Sequence, residues 1–309
     1  MFPATHAGGS AVKPDGPRLL LVDGHAYAYR AFHAIRSLHG PDGAPTNAIY
    51  GFISMLSKLR ERVQPTHLAV IWDGGLASER VVAHPGYKAQ RPPMPADLGR
   101  QIDGMVEYLG VAGVASWCRD GVEADDWIAV AARQAAAAGA TVLIASSDKD
   151  FMQLVTPRVG LLNPNDKTDR VWTDADVVAK SGVRPEQIVD WLSLVGDSVD
   201  NIPGVPGVGP KTAADLLRQF DSVTALFLRL AEVKSDRLRA ALTAAEADVR
   251  RNQELIRLRD EVGVAFSLSD AVLRPEDSSR LLGLFQRWGF RAFARACEAR
   301  LPGAQGELL

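Results

Sequence analysis

Acidic residues recur at short spacing in this 309-residue sequence, and their density points to chemistry that uses a cation. The stretch GVEADDWIA contains Glu123, Asp125 and Asp126, and SSDKD contains Asp148 and Asp150. Like charges this close repel and raise one another's pKa. A helix start would explain one or two of the first three, because acids there cap free N–H groups and complement the helix dipole. It does not explain the second group, so we expect a positive charge among these side chains.

Three apolar runs are typical of buried parallel strands, and each is followed at once by an acid. The runs and their acids are RLLLV (18–22) before Asp23, HLAVIW (67–72) before Asp73, and TVLIAS (141–146) before Asp148 and Asp150. Helical patterns lie between them, at 47–63 and 127–138. Alternating strands and helices predict a parallel α/β sheet, whose ligands bind beyond the carboxyl ends of the strands. All three strands would then deliver carboxylates to one edge of the sheet.

The donor set predicts which cation this edge binds. Oxygen ligands without histidine or cysteine select hard divalent ions, so we predict Mg²⁺ or Mn²⁺. One Mg²⁺ usually takes only one or two carboxylates, so this many carboxylates predict two or more ions. Two ions about 4 Å apart can activate a water molecule and stabilise the leaving oxygen of a phosphodiester.

A second group of candidate residues lies downstream, in LVGDSVDNIPGVPGVGPKTAA (194–214). Asp197 and Asp200 stand just before a glycine-rich turn that opens into the helical pattern TAADLLRQF. Glycine lets the backbone approach a ligand closely, and free N–H groups at a helix start favour a phosphate. The residues that we predict to contact the DNA backbone in this helix–hairpin–helix pattern are Gly207, Gly209, Lys211 and Thr212. Such contacts carry no base information.

The connection at 77–101, ASERVVAHPGYKAQRPPMPADLGRQ, is a third candidate. It places Arg80, Lys88 and Arg91 around Tyr87, next to the predicted active edge. Long connections beside such an edge are usually functional. Basic residues with an aromatic suit single-stranded nucleic acid, through charge and base stacking. We therefore predict that Arg80 and Tyr87 contact DNA.

Composition is that of an ordinary soluble globular protein, with 47% hydrophobic and 23% charged residues. No apolar run approaches a membrane span or a signal peptide, so we expect no membrane partner. Residues 1–17 are predicted to form a disordered leader. Two cysteines, Cys118 and Cys297, offer neither a disulfide framework nor metal-site spacing, which favours the reducing cytoplasm.

The net charge of −2 does not exclude a nucleic-acid partner. If nine of the 37 acids form one metal site, 28 remain against 35 Lys and Arg, and the rest of the chain carries +7. A basic surface of that kind is compatible with DNA.

Several segments together resemble the 5′-nuclease domain of bacterial DNA polymerase I, within the wider flap endonuclease (5′–3′ exonuclease) family. The segments are LLVDGHAYAYRAFHA, YKAQRPPMP, GVEADD, SSDKDFMQLV and GDSVDNIPGVPGVGPKTA. They occur in the family's order, and the resemblance runs from about residue 18 to near 300. It implies a divalent-metal nuclease that cuts DNA at 5′ flaps, nicks, duplex junctions and primer ends, including RNA–DNA primers, and leaves a 5′-phosphate and a 3′-hydroxyl.

The resemblance also implies roles for individual positions. The family's metal-binding carboxylates fall on Asp23, Asp73, Glu123, Asp125, Asp126, Asp148, Asp150, Asp197 and Asp200. Lys88 and Arg91 match basic residues of the helical arch under which the 5′ single strand passes, and we assign both to catalysis. PGVGPKTA matches the helix–hairpin–helix, which in relatives can hold a K⁺ ion against a phosphate. Two positions depart from the family: Trp72-Asp73-Gly74 replaces the usual FDA, and Glu79 replaces an aromatic.

The predicted fold class is α/β, with a parallel-sheet (PIN-like) nuclease core, a helical arch and a helix–hairpin–helix DNA-binding subdomain. The predicted regions are the leader at 1–17, the nuclease core at 18–180 with its arch near 77–101, the DNA-binding region at 181–270, and C-terminal helices packing on the core at 271–309. No polymerase region follows in the sequence, so a stand-alone, monomeric family member is expected. Its predicted role is primer and flap removal in DNA replication, and DNA repair.

Three other classes of protein fit the sequence less well than this family. A PIN-like ribonuclease shares carboxylates at strand ends but does not need the helix–hairpin–helix or the basic connection. A DNA-binding module without catalysis would have broken carboxylates, and none is broken. A phosphatase with a DxD nucleophile would place its pair after the first strand, where Asp23-Gly24-His25 offers one acid.

Overall fold

The computed structural model describes residues 16–166, 168 and 170–301. Most of the predicted leader, residues 1–15, lies outside the described residues, as does the end of the predicted C-terminal region from 302 onward. Within the described ranges, no helix combines the length and the apolar character needed to cross a membrane.

A five-stranded parallel sheet forms the centre of the molecule. Its strands are β1 (Arg18–Asp23), β2 (His67–Ile71), β3 (Ala115–Trp117), β4 (Thr141–Ala145) and β5 (Val159–Leu162). They lie in the order β3-β2-β1-β4-β5, and each neighbouring pair is parallel. The predicted parallel sheet is confirmed, and β1, β2 and β4 end within one residue of the predicted bounds.

Helices connect the strands and continue beyond the sheet. The α-helices of the described residues are α1 (Gly24–Ala34), α2 (Asn47–Val63), α3 (Ser78–Ala83), α4 (Ala96–Val111), α5 (Ala124–Ala137), α6 (Asp174–Ser181), α7 (Ile188–Val195), α8 (Pro210–Phe220), α9 (Val223–Leu228), α10 (Asp236–Ile256), α11 (Ser278–Arg287) and α12 (Arg291–Glu298). The pattern at 47–63 corresponds to α2. The pattern at 127–138 corresponds to α5, which begins three residues earlier than predicted.

The sheet separates two hydrophobic clusters, because successive side chains of a strand point to opposite faces. Leu19 and Leu21 of β1 belong to the cluster that includes α5, α7, α8 and α10. Leu20 and Val22 belong to the cluster that includes α1, α2, α4, α11 and α12. The result is a sheet covered by helices on both faces, with its carboxyl edge left open for a site.

The segment at 77–101 is folded against the core. It consists of α3, a series of turns, and the start of α4 after Pro95. Its buried side chains include three of the predicted site residues: Arg80 is 4% exposed, Tyr87 3% and Lys88 6%. We call residues 78–91 the arch segment.

The downstream segment forms two helices joined by a short hairpin. After α7 come the antiparallel strands β6 (Gly196–Asp197) and β7 (Ile202–Pro203), a glycine turn, and then α8. The indole N–H of Trp191 donates to the carbonyl of Pro210 at 3.0 Å, which fastens the start of α8 to α7. Buried Val205 and Val208 hold the turn between them.

Candidate metal centre

A cavity of about 420 Å³ opens at the carboxyl edge of the sheet, where the predicted acids converge. Six of the nine line it: Asp23, Asp73, Asp125, Asp148, Asp197 and Asp200. They come from the ends of β1, β2 and β4, the first turn of α5, and the hairpin after α7. The sheet thus brings together residues that are up to 177 positions apart in the sequence, as its parallel order predicts.

Local hydrogen bonds orient the acids that follow β1 and β4. Asp23 caps α1, where one carboxylate oxygen accepts from the Ala26 N–H at 3.0 Å and the other from the Ser146 hydroxyl at 2.9 Å. Asp148 accepts from the Asp150 N–H at 2.9 Å at the start of a 3₁₀ helix (Lys149–Leu154). Each acid therefore has a fixed direction while keeping an oxygen site toward the cavity.

Burial works against ionisation of these acids. Burial, with the charges of Asp125 and Asp200 adding to it, raises the pKa of Asp148 to about 6, although the hydrogen bond from the Asp150 N–H acts to lower it. Burial likewise raises the pKa of Asp23 and of Asp73. Carboxylates in such surroundings gain from a bound cation, which would restore their ordinary ionisation.

Asp150, Asp197 and Asp200 form the tightest acidic group. One oxygen of each lies within 4.8 Å of the others, and all three side chains are buried. An oxygen of Asp150 is buried without any hydrogen-bond partner. Burial raises its pKa well above the ordinary value, and the neighbouring charges of Asp148 and Asp200 add to the effect. An orphaned carboxylate oxygen beside two more carboxylates fits a hard divalent cation.

Glu123 lies behind the cavity and is held by three hydrogen bonds and an ion pair. One oxygen accepts from the Ala77 N–H at 3.0 Å and lies 3.1 Å from the Arg80 guanidinium. The other accepts from the Tyr87 hydroxyl at 3.1 Å and from the Lys88 ammonium. Burial alone would raise the pKa of Glu123, but the two cations outweigh burial and lower the pKa to about 2.

Asp126 does not line the cavity. It is 1% exposed, and its two oxygens accept from the two terminal nitrogens of Arg80, each at 2.8 Å. The Arg259 N–H also donates to it at 3.0 Å. The structure therefore separates Asp126 from the other acids with which the sequence groups it.

Arg80 and Tyr87 also differ from their predicted positions. Both were expected on a DNA-facing surface, but Arg80 is enclosed by its ion pair and Tyr87 is packed beside the Lys88 ammonium, 4.8 Å from the ring centroid. The reason is that buried carboxylates on α5 attract the cations of the arch segment inward. We therefore assign neither side chain to a DNA-contacting surface.

Lys88 and Arg91 both reach the cavity. Lys88 lies 3.7 Å from Asp125, and its own N–H donates to the Asp200 carbonyl at 3.0 Å. Its backbone has φ of 53°, a left-handed conformation that a lysine rarely adopts. Arg91 donates to the Asp200 carboxylate at 2.6 Å and stays 42% exposed. One of the two cations is thus enclosed with the acids, and the other faces solvent.

The cavity also contains residues that the sequence interpretation did not single out: His25, Tyr29, Ser146 and Lys149. His25 Nδ1 accepts from the Asp73 N–H at 3.0 Å, and Lys149 lies 3.0 Å from Asp197. His25, Ser146 and Lys149 each stand within two residues of an acid in the sequence, and Tyr29 lies one helical turn after His25, in DGHAYAY and SSDKD. That proximity was the available signal.

The glycine turn before α8 has an open backbone. Gly207 has φ of 82°, and a side chain added at Gly207 or Gly209 would meet no atom within 4 Å. Gly209 is the N-cap of α8 and provides no side-chain cap. Lys211 is exposed and Thr212 partly so, at the first turn of the helix. Free N–H groups and a lysine are therefore presented together, as a phosphate site requires.

A parallel sheet that gathers carboxylates at one edge, beside a helix–hairpin–helix, is typical of a metal-dependent nuclease. The family models agree with this class. The N-terminal, resolvase-like domain of 5′-3′ exonucleases matches residues 18–182, and their C-terminal SAM fold matches residues 183–279. The chain belongs to the 5′-3′ exonuclease family, and the predicted resemblance and fold class are confirmed.

Relatives of known name support the same membership. The 5′-3′ exonuclease of Aquifex aeolicus is 37% identical over 263 residues, which cover 85% of this chain and 89% of that protein. DNA polymerase I of Rhizobium leguminosarum is 40% identical over 295 residues, 92% of this chain. The chain spans only 29% of that polymerase's length.

Solved structures share the fold at lower identity. The T5 D15 protein co-crystallised with metal ions has a TM-score of 0.63 at 22% identity, covering 91% of this chain and 98% of that one. The catalytic core of Rad2 in complex with DNA substrate has a TM-score of 0.63 at 16% identity, covering 91% of each chain. The carboxylate edge described above therefore stands on a fold shared with these two proteins.

Proposed function

We propose that this protein is a structure-specific 5′ flap endonuclease and 5′–3′ exonuclease that hydrolyses DNA phosphodiesters with two divalent ions. The observation that carries the proposal is the convergence of strand-end carboxylates on one cavity that two arch cations also enter. Similar proteins are named as nucleases, and one neighbouring structure is titled a T5 flap endonuclease complex with DNA and metal ions. The expected substrates are 5′ flaps, nicks, duplex junctions and RNA–DNA primer ends, met in replication and repair.

The donor set fits Mg²⁺ or Mn²⁺. Asp23, Asp73, Asp125 and Asp148 would hold one ion, and the group of Asp150, Asp197 and Asp200 would hold the other. Glu123, predicted as a further ligand, already accepts hydrogen bonds on both oxygens and would support the first ion from behind the cavity. When bound, two such ions supply the charge that activates water and stabilises the leaving oxygen of a phosphodiester. The orphaned oxygen of Asp150 is the feature of this chain that most needs a cation.

The two arch cations have different tasks in this proposal. Lys88 is enclosed next to Asp125, so its ammonium is preorganised to stabilise charge that develops on the scissile phosphate. Arg91 is partly exposed at the rim, where it can guide the single strand toward the cavity. Only an interaction that is stronger in the transition state than in the ground state accelerates the chemical step, and we assign that interaction to Lys88.

The glycine turn before α8 would bind duplex DNA at a distance from the cut. Its free N–H groups and Lys211 suit one phosphate, and Thr212 adds a hydroxyl at the same helix start. The K⁺ ion that the family resemblance implies belongs to this turn. We propose a duplex contact here that positions a junction over the carboxylate cavity.

The boundaries of the regions, the oligomeric state and the cellular location are also proposed. We propose the nuclease core at 18–180, with the segment at 77–101 as its arch, the DNA-binding region at 181–270, and the C-terminal helices at 271–309 as a cover on the core. Leu281, Phe285 and Cys297 pack into the hydrophobic cluster of α1, α2 and α4, which supports the last assignment. We further propose a monomer that acts in the cytoplasm.

A flap-cleavage assay tests the proposed function. A 5′-labelled flap duplex, a matched single strand and a blunt duplex would be incubated with Mg²⁺ or Mn²⁺, and the products mapped to the nucleotide. We expect cutting at the flap junction with a 5′-phosphate on the retained strand, and little cutting of the single strand alone. Equal cutting of all three substrates would contradict structure specificity. Cutting confined to RNA would favour a ribonuclease.

The matched control for this assay is Asp148→Asn. It removes one cavity carboxylate while keeping the shape of the side chain and its acceptor for the Asp150 N–H. Cleavage should fall by orders of magnitude, whereas flap binding should hold, because removing a negative charge does not weaken a complex with DNA. An equal loss of binding would show that Asp148 is structural.

A further inference from the structure

Arg80 is the most enclosed cation of the arch segment, and none of its charged partners is exposed. Its two terminal nitrogens donate to the two oxygens of Asp126, each at 2.8 Å, in a bidentate pair. One of them also donates to the Arg257 carbonyl at 3.0 Å, and the other lies 3.1 Å from Glu123. A planar guanidinium in this geometry fixes the positions of all three partners.

Asp126 has no oxygen directed at the cavity. Both oxygens accept from Arg80, and one of them accepts additionally from the Arg259 N–H at 3.0 Å. The side chain is 1% exposed and does not line the cavity, whereas Asp125, one residue earlier, does. Successive residues of a helix point about 100° apart, so α5 presents one acid to the cavity and the next to the arch segment.

We propose that Arg80 and Asp126 are positioning residues, and that Asp126 serves as the anchor of the arch segment and not as a metal ligand. Together with Arg259, they join α3, α5 and the segment after α10; we call this set the Arg80 clamp. Through its contact with Glu123, the clamp also sets the direction of a carboxylate that Lys88 contacts. This inference rests on the proposed function, because it assigns parts within the same nuclease site.

The clamp explains two features that otherwise have no cause. The arch segment carries Arg80 at a position where DNA cannot reach it, and α5 carries a third acid that cannot reach the cavity. Each is costly alone, because a buried charge without its partner is strongly unfavourable. Paired, they hold the arch segment over the carboxylates. Glu79, which lies 3.2 Å from Arg259, extends the same set of charges toward solvent.

The test compares neighbouring acids of α5 that the clamp assigns to different tasks. Asp126→Asn and Asp125→Asn are matched in chemistry and helix position. Two measurements are made on each: Mn²⁺ binding by calorimetry, and hydrogen exchange of the amides at 78–91. We expect Asp126→Asn to retain Mn²⁺ binding and lose protection of the arch segment. Asp125→Asn should do the reverse, with Mn²⁺ affinity reduced at least about tenfold.

A kinetic measurement separates positioning from a merely structural role. In the folded fraction of Asp126→Asn, single-turnover cleavage should slow about tenfold, as for loss of an outer-shell partner, while flap affinity is unchanged. Arg80→Gln should leave the salt dependence of DNA binding unaltered. A phosphate contact made by Arg80 would instead reduce the slope of log K against log salt by about one, and that result would overturn the proposal.

A double variant keeps the test valid if Asp126→Asn fails to fold. Arg80→Met with Asp126→Asn removes both charges, keeps an acceptor for the Arg259 N–H and preserves most of the volume. We expect a folded protein that binds Mn²⁺ as wild type does but exchanges faster at 78–91. Loss of one bound Mn²⁺ in this variant would make Asp126 a ligand and refute the clamp. If wild type itself binds no Mn²⁺, the proposed function fails, whereas hydrogen exchange still tests the clamp.

Discussion

The acids of this site differ mainly in which cation faces them. Glu123 meets Lys88 and Arg80, and its pKa falls to about 2. Asp148 is buried and has other acids as neighbours, so its pKa rises to about 6. Residue type and spacing predicted that a positive charge must enter the cluster. They did not predict that Lys88 and Arg80 of the arch segment already neutralise part of this acidic cluster. The reason is that such partners are far apart in the sequence, as Arg80 and Asp126 are at 46 positions.

Lys88→Ala tests the catalytic assignment at the scale of one side chain. If the enclosed ammonium acts on the scissile phosphate mainly in the transition state, turnover at saturating substrate should fall about 10²–10³-fold with little change in affinity. Arg91→Ala is the matched comparison, because it removes a cation at the cavity rim; we expect it to raise the apparent KM instead. Single-turnover kinetics of both variants on one flap substrate would distinguish an effect on turnover from an effect on affinity. A Lys88→Ala enzyme with near wild-type turnover would rule out the assignment.

The raised pKa of Asp148 predicts how stability depends on pH without metal. The unfolded carboxyl releases its proton near its ordinary pKa of 3.8, and the folded one near 6. Its contribution to stability is therefore full below about pH 4 and is lost as the pH rises to about 6. In thermal unfolding of chelator-treated protein, Tm should therefore decrease between about pH 4 and 6. In Asp148→Asn, the decrease of Tm over this pH range should be smaller.

Asp166→Asn is the control for that pH experiment. Asp166 is partly exposed, and the hydrogen bond from the Trp172 indole lowers its pKa to about 2. Its contribution is lost only as the pH falls from about 4 toward 2, outside the tested window. The slope of Tm between pH 4 and 6 should therefore match wild type. An unchanged slope in Asp148→Asn as well would contradict the assigned pKa.

At the scale of elements, the sequence predicted the strands with long apolar runs and missed the shortest strands. Long apolar runs identified β1, β2 and β4 with their acids, because a buried parallel strand needs such a run. The three residues of β3 and the four of β5 are too few to give a pattern. The sequence predicted that Arg80 and Tyr87 of the arch segment contact DNA, because their burial depends on α5 and on the segment after α10, which no local pattern reveals.

Lys211→Glu tests the hairpin element. The lysine stands in the first turn of α8, beside an open glycine turn, so its contact should be to phosphate. Duplex binding should weaken by a similar factor for all sequences, and the slope of log K against log salt should flatten by about one. Arg218→Glu, near the other end of α8 and paired with Asp215, is the control and should leave the slope unchanged. Weakening that varies with base sequence would show that the hairpin reads bases.

At the scale of the whole molecule, we propose that the two family regions, 18–182 and 183–279, divide the work between chemistry and the positioning of DNA. The sheet collects carboxylates from its strand ends, and α7, the hairpin and α8 add Asp197 and Asp200 from the second family region. The same hairpin that completes the cavity therefore leads directly into the turn proposed to bind duplex DNA. A junction held by that turn would present its strand to the cavity.

The most direct test of the central claim is the dependence of flap cleavage on free divalent metal. Wild-type protein would be freed of metal with excess chelator, and single-turnover cleavage of a labelled flap duplex followed as Mn²⁺ or Mg²⁺ is added back. Because carboxylates without cations repel a phosphodiester, we predict no cleavage in chelator and full recovery with either ion. Cleavage that persists in excess chelator would contradict a metal centre at the carboxyl edge of this sheet.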